Sequence, residues 1–181
     1  GKIIKNIAQQ YNTTILPVDS EHNAIFQCLK GESIKTVRKV TLTASGGPFR
    51  NWTLEKMKKA TLTEALAHPT WSMGKRISID SATMFNKALE VIEAKYLFDV
   101  PVDQIEVLIH PESILHSMVN FNDGSIIAQL SVPDMRGAIG YAFNYPKRLP
   151  LPIEELKLEE IKLLSFEAVN AEKFPALDLA Y

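Results

Sequence analysis

The spacing of apolar residues along the chain predicts several helices. Near the start, four apolar side chains recur at intervals of three to four residues, which is typical of a helix with one buried face. A similar spacing appears in four further segments, with glycine or proline close to several of their ends. The predicted helices cover residues 2–11, 21–29, 54–67, 82–98 and 138–143.

Runs of β-branched and other apolar residues predict the strands between these helices. The two runs around Asn122-Asp123-Gly124 are expected to form a hairpin, because Asp-Gly is a preferred hairpin turn. The predicted strands cover residues 14–16, 37–44, 105–109, 114–121 and 125–130. Mixed helices and strands predict an α+β fold, with a mixed or antiparallel sheet covered by helices.

Composition adds limits on function. The chain has 181 residues, of which 46% are apolar and 23% charged, as in ordinary globular proteins. The net charge of −1 gives no electrostatic reason to expect binding to nucleic acid or to an anionic membrane. No apolar run reaches the roughly eighteen residues that span a bilayer. The single cysteine, Cys28, excludes an internal disulfide framework and is expected to be a packed apolar residue.

Two carboxylates lie two residues apart just after the first predicted strand, in Asp19-Ser20-Glu21. Paired carboxylate oxygens are suitable ligands for a hard divalent cation. The alternative, which this stretch alone favours, is a solvated acidic surface.

A second polar cluster lies in the predicted helix 82–98. Lys87 and Glu90 are three residues apart, and Asn86 and Glu90 four apart, so all three lie on neighbouring positions of the helix surface. Asp80 and Ser81 are typical N-cap residues, and a helix N-terminus favours anions, so this region could bind a phosphate. The alternative is a routine Lys–Glu surface pair.

Two loops also combine unusual residues. In Ser45-Gly46-Gly47, glycines after a strand let backbone N–H groups converge on an anion, although a tight turn closed by Pro48 is the simpler interpretation. The loop 68–75 contains His68, Trp71 and Met73 and could be a lid over a substrate. Its tryptophan could equally anchor the loop to the core. We expect His110 and His116, which lie in or beside strands, to be packed or hydrogen-bonded rather than to be ligands.

Taken together, these segments resemble the 1-deoxy-D-xylulose 5-phosphate reductoisomerase family, in the order in which the family has them. The resemblance runs from about residue 16 to residue 146. The motifs that carry it are residues 18–27, 44–50, 68–74, 80–84 with Asn86, Lys87 and Glu90, 108–111 and 133–135.

The resemblance implies that the chain is the central part of a three-domain protein. Residues 1–18 would be the end of an NADPH-binding domain, 19–145 the catalytic domain, and 146–181 a linker and the start of a C-terminal helical domain. The chain would therefore be a fragment or an excised domain. No Gly-x-Gly-x-x-Gly occurs in it, so the dinucleotide-binding fingerprint is absent.

The resemblance also implies roles for individual residues. Mn²⁺, Mg²⁺ or Co²⁺ would be bound by Asp19, Glu21 and Glu90, and catalytic roles would fall to Lys87, Glu21 and His68. NADPH would lie near Met73, Gly74 and Met135. The substrate would be bound by Ser20, Ser45, His68, Trp71, Ser81, Asn86 and Lys87.

The implied reaction converts 1-deoxy-D-xylulose 5-phosphate into 2-C-methyl-D-erythritol 4-phosphate, in non-mevalonate isoprenoid biosynthesis. The resemblance further implies a homodimer, located in the cytoplasm of a bacterium or in a plastid or apicoplast of a eukaryote. Two alternatives stay open at this point. One is a metal-dependent phosphatase or aldolase with the same ligands, and the other is a non-catalytic module that binds metal and phosphate and dimerises.

Overall fold

The computed structural model describes residues 1–69 and 73–181 and shows the predicted α+β fold. Its strands are β1 (Val37–Ala44), β2 (Ile105–Ile109), β3 (Leu115–Phe121), β4 (Ile126–Leu130) and β5 (Glu167–Ala168). Its α-helices are α1 (Lys2–Gln10), α2 (Ser20–Cys28), α3 (Leu54–Met57), α4 (Leu62–Leu66), α5 (Lys75–Ala82), α6 (Phe85–Phe98) and α7 (Met135–Asn144).

The five strands form one mixed sheet in the order β4-β3-β1-β2-β5. β1 and β2 are parallel, with Leu42 opposite Val107, and α3 to α6 lie in the connection between them. The other neighbours are antiparallel, including the predicted hairpin of β3 and β4. Parallel strands need such a long crossover, and this one brings α6 onto the sheet.

The core lies between the sheet and two helices, α2 and α6. Val40 and Leu42 of β1 and Val91 of α6 are fully buried in it, together with Ile25 of α2. Alternation along β1 and the helical repeat of α6 point these side chains into one layer. Cys28 is buried in the same cluster, as expected.

The C-terminal segment also packs into this core. β5 pairs with β2, and a 3₁₀ helix (Pro175–Ala180) lies against α6. Phe174 and Leu177 are 1% and 7% exposed and belong to the same apolar cluster as Val91. Residues far apart in the sequence therefore close the core together.

Several predicted elements are wrong. Residues 14–16 form no strand in the described chain and are largely exposed. The predicted helix 54–67 is two short helices, because Thr61 starts a new one with a capping box to Glu64.

The predicted start of the long helix is also wrong. Asp80 and Ser81 lie in the last turns of α5, and α6 begins at Phe85 after Met84, whose φ is 61°. A left-handed residue cannot continue a helix, so the chain changes direction between α5 and α6. No described helix is both long and apolar enough to span a bilayer.

Candidate metal and substrate site

The ends of α2 and α6 bring three carboxylates together. Asp19 is the N-cap of α2, and its Oδ1 accepts a hydrogen bond of 3.1 Å from the Glu21 backbone N–H. Glu21 lies in the first turn of α2 and Glu90 in the second turn of α6. One oxygen atom from each carboxylate lies within 4.8 Å of the other two.

Lys87 places an ammonium group between two of these carboxylates. Its Nζ lies 2.6 Å from Glu90 Oε2 and 3.2 Å from Glu21 Oε1. Asn86 Nδ2 donates to the other Glu90 oxygen at 2.5 Å, and Ser20 Oγ donates to Glu21 Oε2 at 2.7 Å. Lys87 and Glu90 are only 6% and 3% exposed, which excludes the surface-pair interpretation. We call Asp19, Glu21, Glu90 and Lys87 the acidic side of the site.

The charges on the acidic side do not balance, because three carboxylates face one ammonium group. Loss of hydration on burial, and then the negative charges of Glu21 and Asp19, raise the pKa of Glu90 well above its usual range. The Asp19 side chain is 43% exposed, but its carboxyl is crowded by protein atoms and faces Glu21, and its pKa rises to about 6.

Glu21 and Lys87 hold the opposite charges of one buried ion pair. Burial alone would raise the pKa of the Glu21 carboxyl, but Lys87 and hydrogen bonds from its neighbours outweigh this and lower it to about 2. Burial would lower the pKa of Lys87, but the charges of Glu21 and Glu90 outweigh it and raise this pKa above its usual value. Lys87 is therefore charged at any ordinary pH.

This donor set fits a hard divalent cation. Carboxylate oxygens are the preferred ligands of Mg²⁺ and Mn²⁺, and a dication would offset the excess negative charge that Lys87 leaves. Buried charges without such compensation are costly. The residues that would hold the ion are Asp19, Glu21 and Glu90.

The acidic side lines a cavity of about 340 Å³, which is also lined by Ser45, His68 and Ser81. We call these three residues the serine side. Ser45 Oγ lies 3.0 Å from His68 Nε2 and accepts a hydrogen bond of 3.2 Å from the Gly47 N–H. Burial lowers the pKa of His68, so its ring is neutral at pH 7.

Gly47 allows the two serines to approach each other. Its φ is 63°, and a Cβ atom added there would lie 2.8 Å from the backbone oxygen of Ser81. No L side chain fits so close a contact. Ser81 reaches the cavity from the end of α5, not from a helix N-terminus, so the predicted anion site at a helix start is wrong for Ser81.

The remaining predicted residues divide into three groups. Ser20, Asn86, Met73 and Met135 line the same cavity. Gly74 is the N-cap of α5 and does not belong to the cavity lining. The prediction for Trp71 lies outside the described residues.

Two histidines have roles at the site that the sequence did not indicate. His116 is 6% exposed and so packed, as expected, but it also lines the cavity next to Glu21. His22 is buried behind the acidic side, where its Nε2 is 2.9 Å from the backbone oxygen of Glu90 and so links α2 to α6. Both contacts join residues that are far apart in the sequence, so no local pattern predicts them. His110 is fully buried and hydrogen-bonded, as expected, and also lines the cavity.

A larger cavity of about 860 Å³ lies between α1, α2 and α6, and the two cavities share Asp19. Its lining is mainly apolar, with Ile4, Phe26 and Ile92 among the residues that form it. The convergent carboxylates and hydroxyls lie in the smaller cavity, which is therefore the candidate site.

Comparison with protein-family models gives two matches. Residues 15–98 match the model described as "1-deoxy-D-xylulose 5-phosphate reductoisomerase C-terminal domain". Residues 130–181 match the model described as "DXP reductoisomerase C-terminal domain". The first match contains all four residues of the acidic side and all three of the serine side.

Relatives of the same name match the whole chain. The 1-deoxy-D-xylulose 5-phosphate reductoisomerase of Macrococcus caseolyticus is 57% identical over 181 residues, which is 100% of this chain and 48% of the relative. That of Bacteroides thetaiotaomicron is 55% identical over 181 residues, 100% of this chain and 46% of the relative. The chain spans about half the length of the curated relatives it matches.

Solved structures similar to this chain come from the same family as these relatives. The reductoisomerase from Zymomonas mobilis in complex with NADPH has a TM-score of 0.92 and 48% identity, over 99% of this chain and 46% of that one. A DOX-P reductoisomerase in complex with NADPH, fosmidomycin and magnesium has a TM-score of 0.89 and 46% identity, over 96% of this chain and 45% of that one. The chain belongs to the 1-deoxy-D-xylulose 5-phosphate reductoisomerase family.

Proposed function

We propose that this chain carries the metal- and substrate-binding part of an enzyme that converts 1-deoxy-D-xylulose 5-phosphate into 2-C-methyl-D-erythritol 4-phosphate with NADPH. One observation carries the proposal. Three carboxylates within 4.8 Å of one another share a 340 Å³ cavity with Ser45, His68 and Ser81. A sugar phosphate fits both sides of this cavity. Its sugar oxygens can bind a metal held by the carboxylates, and its phosphate group can accept hydrogen bonds on the serine side.

On the acidic side, Asp19, Glu21 and Glu90 would hold Mg²⁺, Mn²⁺ or Co²⁺. When bound, such an ion polarises a carbonyl and orients vicinal oxygens. Lys87 supplies a fixed positive charge that stabilises negative charge developing on a substrate oxygen. Ser20 and Asn86 donate hydrogen bonds to Glu21 and Glu90 and line the cavity, so they would contact the oxygens of a bound substrate.

On the serine side, hydroxyl groups of Ser45 and Ser81 would donate to the phosphate. The neutral His68 is hydrogen-bonded to Ser45 and orients its hydroxyl. Asn86 and Lys87 lie in the first turn of α6, where the helix dipole favours an anion, and both line the cavity.

NADPH supplies the hydride for the reduction. Met73 and Met135 line the cavity and would lie against the nicotinamide ring. The dinucleotide-binding fingerprint is absent from the 181 residues, so we expect the chain alone to bind metal and phosphate but to have no reductase activity.

A segment exchange tests the activity directly. The matching 181 residues of the Macrococcus relative are replaced by this chain, and NADPH oxidation is followed with 1-deoxy-D-xylulose 5-phosphate and Mn²⁺. We expect metal-dependent turnover, and we expect Glu90→Gln to abolish it because a metal ligand is lost. Glu160→Gln, at a side chain that is 68% exposed, is the matched control and should leave turnover unchanged.

Two results would contradict the proposal. One is Glu90→Gln turnover equal to that of the unsubstituted chimaera. The other is release of inorganic phosphate from the substrate without NADPH, which would support the phosphatase alternative instead.

We also propose that the protein is a homodimer that pairs through β4. This strand is an edge of the sheet, and Ile126 and Ile127 on it are 57% and 41% exposed. An exposed apolar edge strand favours pairing with another chain. Sedimentation should give a dimer, and Ile127→Lys should give a monomer that still binds Mn²⁺. A dimer that persists in Ile127→Lys would exclude this interface.

A further inference from the structure

The turn 45–47, which forms part of the serine side, needs external support. Gly46 and Gly47 both have left-handed φ values, of 82° and 63°. Glycine adopts such angles readily, but it also leaves the backbone free to adopt others. Gly47 is held on one side by the backbone of Ser81 and Ala82 at the end of α5.

Arg50 supports the other side of the turn. Its aliphatic stem lies against Gly46, where an added Cβ would be 2.9 Å from Arg50 Cγ and Cδ. Its guanidinium Nη1 donates to the Ser45 backbone oxygen at 3.4 Å. Arg50 does not line the cavity, so its side chain supports the turn from behind.

The C-terminal segment in turn holds Arg50. Lys173 Nζ donates to the backbone oxygen of Arg50. Lys173 itself is fixed, because its backbone N–H donates to Asn170 and the next residue, Phe174, is 1% exposed in the core. A chain of contacts therefore connects residue 173 to Ser45, which is 128 positions earlier in the sequence.

We propose that Arg50 and Lys173 are positioning residues for the serine side, which hold the turn 45–47 in its anion-binding form without touching the anion. This inference rests on the proposed function, since it assumes that Ser45 binds a phosphate. It assigns the C-terminal segment a part in substrate binding. The acidic side should be independent of both residues, because its carboxylates stand on α2 and α6.

The expected effect is moderate and selective. Removing one hydrogen bond that orients a binding group typically changes affinity by roughly fivefold. Lys173→Met should therefore weaken phosphate binding by about fivefold. Arg50→Met keeps an apolar stem against Gly46 but removes both the hydrogen bond and a nearby positive charge, so it should weaken binding by about tenfold. Mn²⁺ affinity should stay within about twofold of the unsubstituted value.

The experiment measures two affinities on the 181-residue chain by calorimetry. Mn²⁺ is titrated first, and inorganic phosphate is titrated into the Mn²⁺-loaded protein, with thermal unfolding recorded for every variant. Lys173→Arg, which keeps a donor for the Arg50 oxygen, should restore most of the phosphate affinity. The matched controls are Arg38→Met and Lys162→Met, at exposed side chains, and both should bind like the unsubstituted chain.

The outcomes separate this inference from the proposed function. If the unsubstituted chain binds no phosphate, the proposed function fails and this inference fails with it. If that chain binds phosphate and both Arg50→Met and Lys173→Met keep its affinity within twofold, only this inference fails. Equal losses of Mn²⁺ and phosphate affinity would indicate general destabilisation and would also overturn it.

Discussion

The acidic side of the cavity stands on two regular helices, whereas the serine side stands on a turn and a helix end. Asp19 and Glu21 lie at the start of α2, and Lys87 and Glu90 lie in α6. The backbone hydrogen bonds of these helices therefore fix the positions of the charged groups. Ser45 and Ser81 stand on separate segments, which approach each other closely at Gly47. The acidic side should therefore be most sensitive to substitutions that change charge, and the serine side to substitutions that change how closely the backbone segments fit.

Lys87→Met should produce the largest effect, because it leaves three carboxylates without their cation. Removing one partner of a buried ion pair typically costs about 3–5 kcal/mol of unfolding free energy. Urea unfolding in EDTA should show this loss, and saturating Mn²⁺ should restore part of it. Lys95→Met, at an exposed position of the same helix, is the control. An unchanged urea midpoint would show that the acidic side does not depend on Lys87.

Gly47→Ala should damage the serine side alone. The substitution imposes a left-handed φ on alanine and a 2.8 Å contact with Ser81, and together these cost about 2–4 kcal/mol. Phosphate affinity should fall while Mn²⁺ affinity is retained. Gly124→Ala has a similar φ of 89° but open space around it, so it isolates the backbone cost. Equal stability losses in the two variants would exclude the steric contribution.

Ser20→Ala should weaken the acidic side slightly. It removes the 2.7 Å hydrogen bond to Glu21 Oε2, and hydrogen bonds to charged groups contribute about 1.5–3 kcal/mol when they are fully buried. Because Ser20 is only partly buried, we expect about 1 kcal/mol or somewhat more in metal-free urea unfolding. Thr14→Ala, which also removes one hydroxyl group but at an exposed position, is the control. A loss as large as that of Lys87→Met would mean that hydroxyl groups, not the ammonium, hold the acidic side together.

The smallest expected effect is the titration of His68 on the serine side. Burial lowers its pKa, so the ring should protonate below the ordinary value of 6.5 when followed by NMR. A lowered folded-state pKa means that its contribution to stability is present above about 6.5 and is lost as the pH falls through the folded-state value. A midpoint at or above 6.5 would show that the serine side is more hydrated than the structure indicates.

Each half of the acidic side could be recognised from local spacing in the sequence, but the meeting of Asp19 and Glu21 with Glu90 followed only from the family resemblance. Spacings of two residues in Asp19-Ser20-Glu21 and of three in Lys87 to Glu90 are local, and local geometry follows from helix periodicity. The sheet was predictable for the same reason, because β-branched runs and the Asp-Gly turn mark β1, β3 and β4 directly.

The serine side could be predicted only in part. Ser45 was a candidate from the Ser-Gly-Gly sequence after a strand and His68 from its loop, and the family resemblance supplied their roles. Ser81 was placed at the start of a helix that begins four residues later, at Phe85. Nothing in the residues around 81 reveals the left-handed Met84 that separates α5 from α6. The contacts of Arg50 with Lys173, and of His22 with Glu90, depend on packing between segments that no local pattern reports.

The burial of Phe174 and Leu177 sets a lower limit on the part of this chain that can fold by itself. Any truncation before residue 177 would remove buried side chains from the core and expose an apolar face of α6 to solvent. A shortened protein made for inhibitor screening or crystallisation should therefore keep the chain through residue 177. This holds even though the last residue that lines the candidate site, Met135, lies some forty positions earlier.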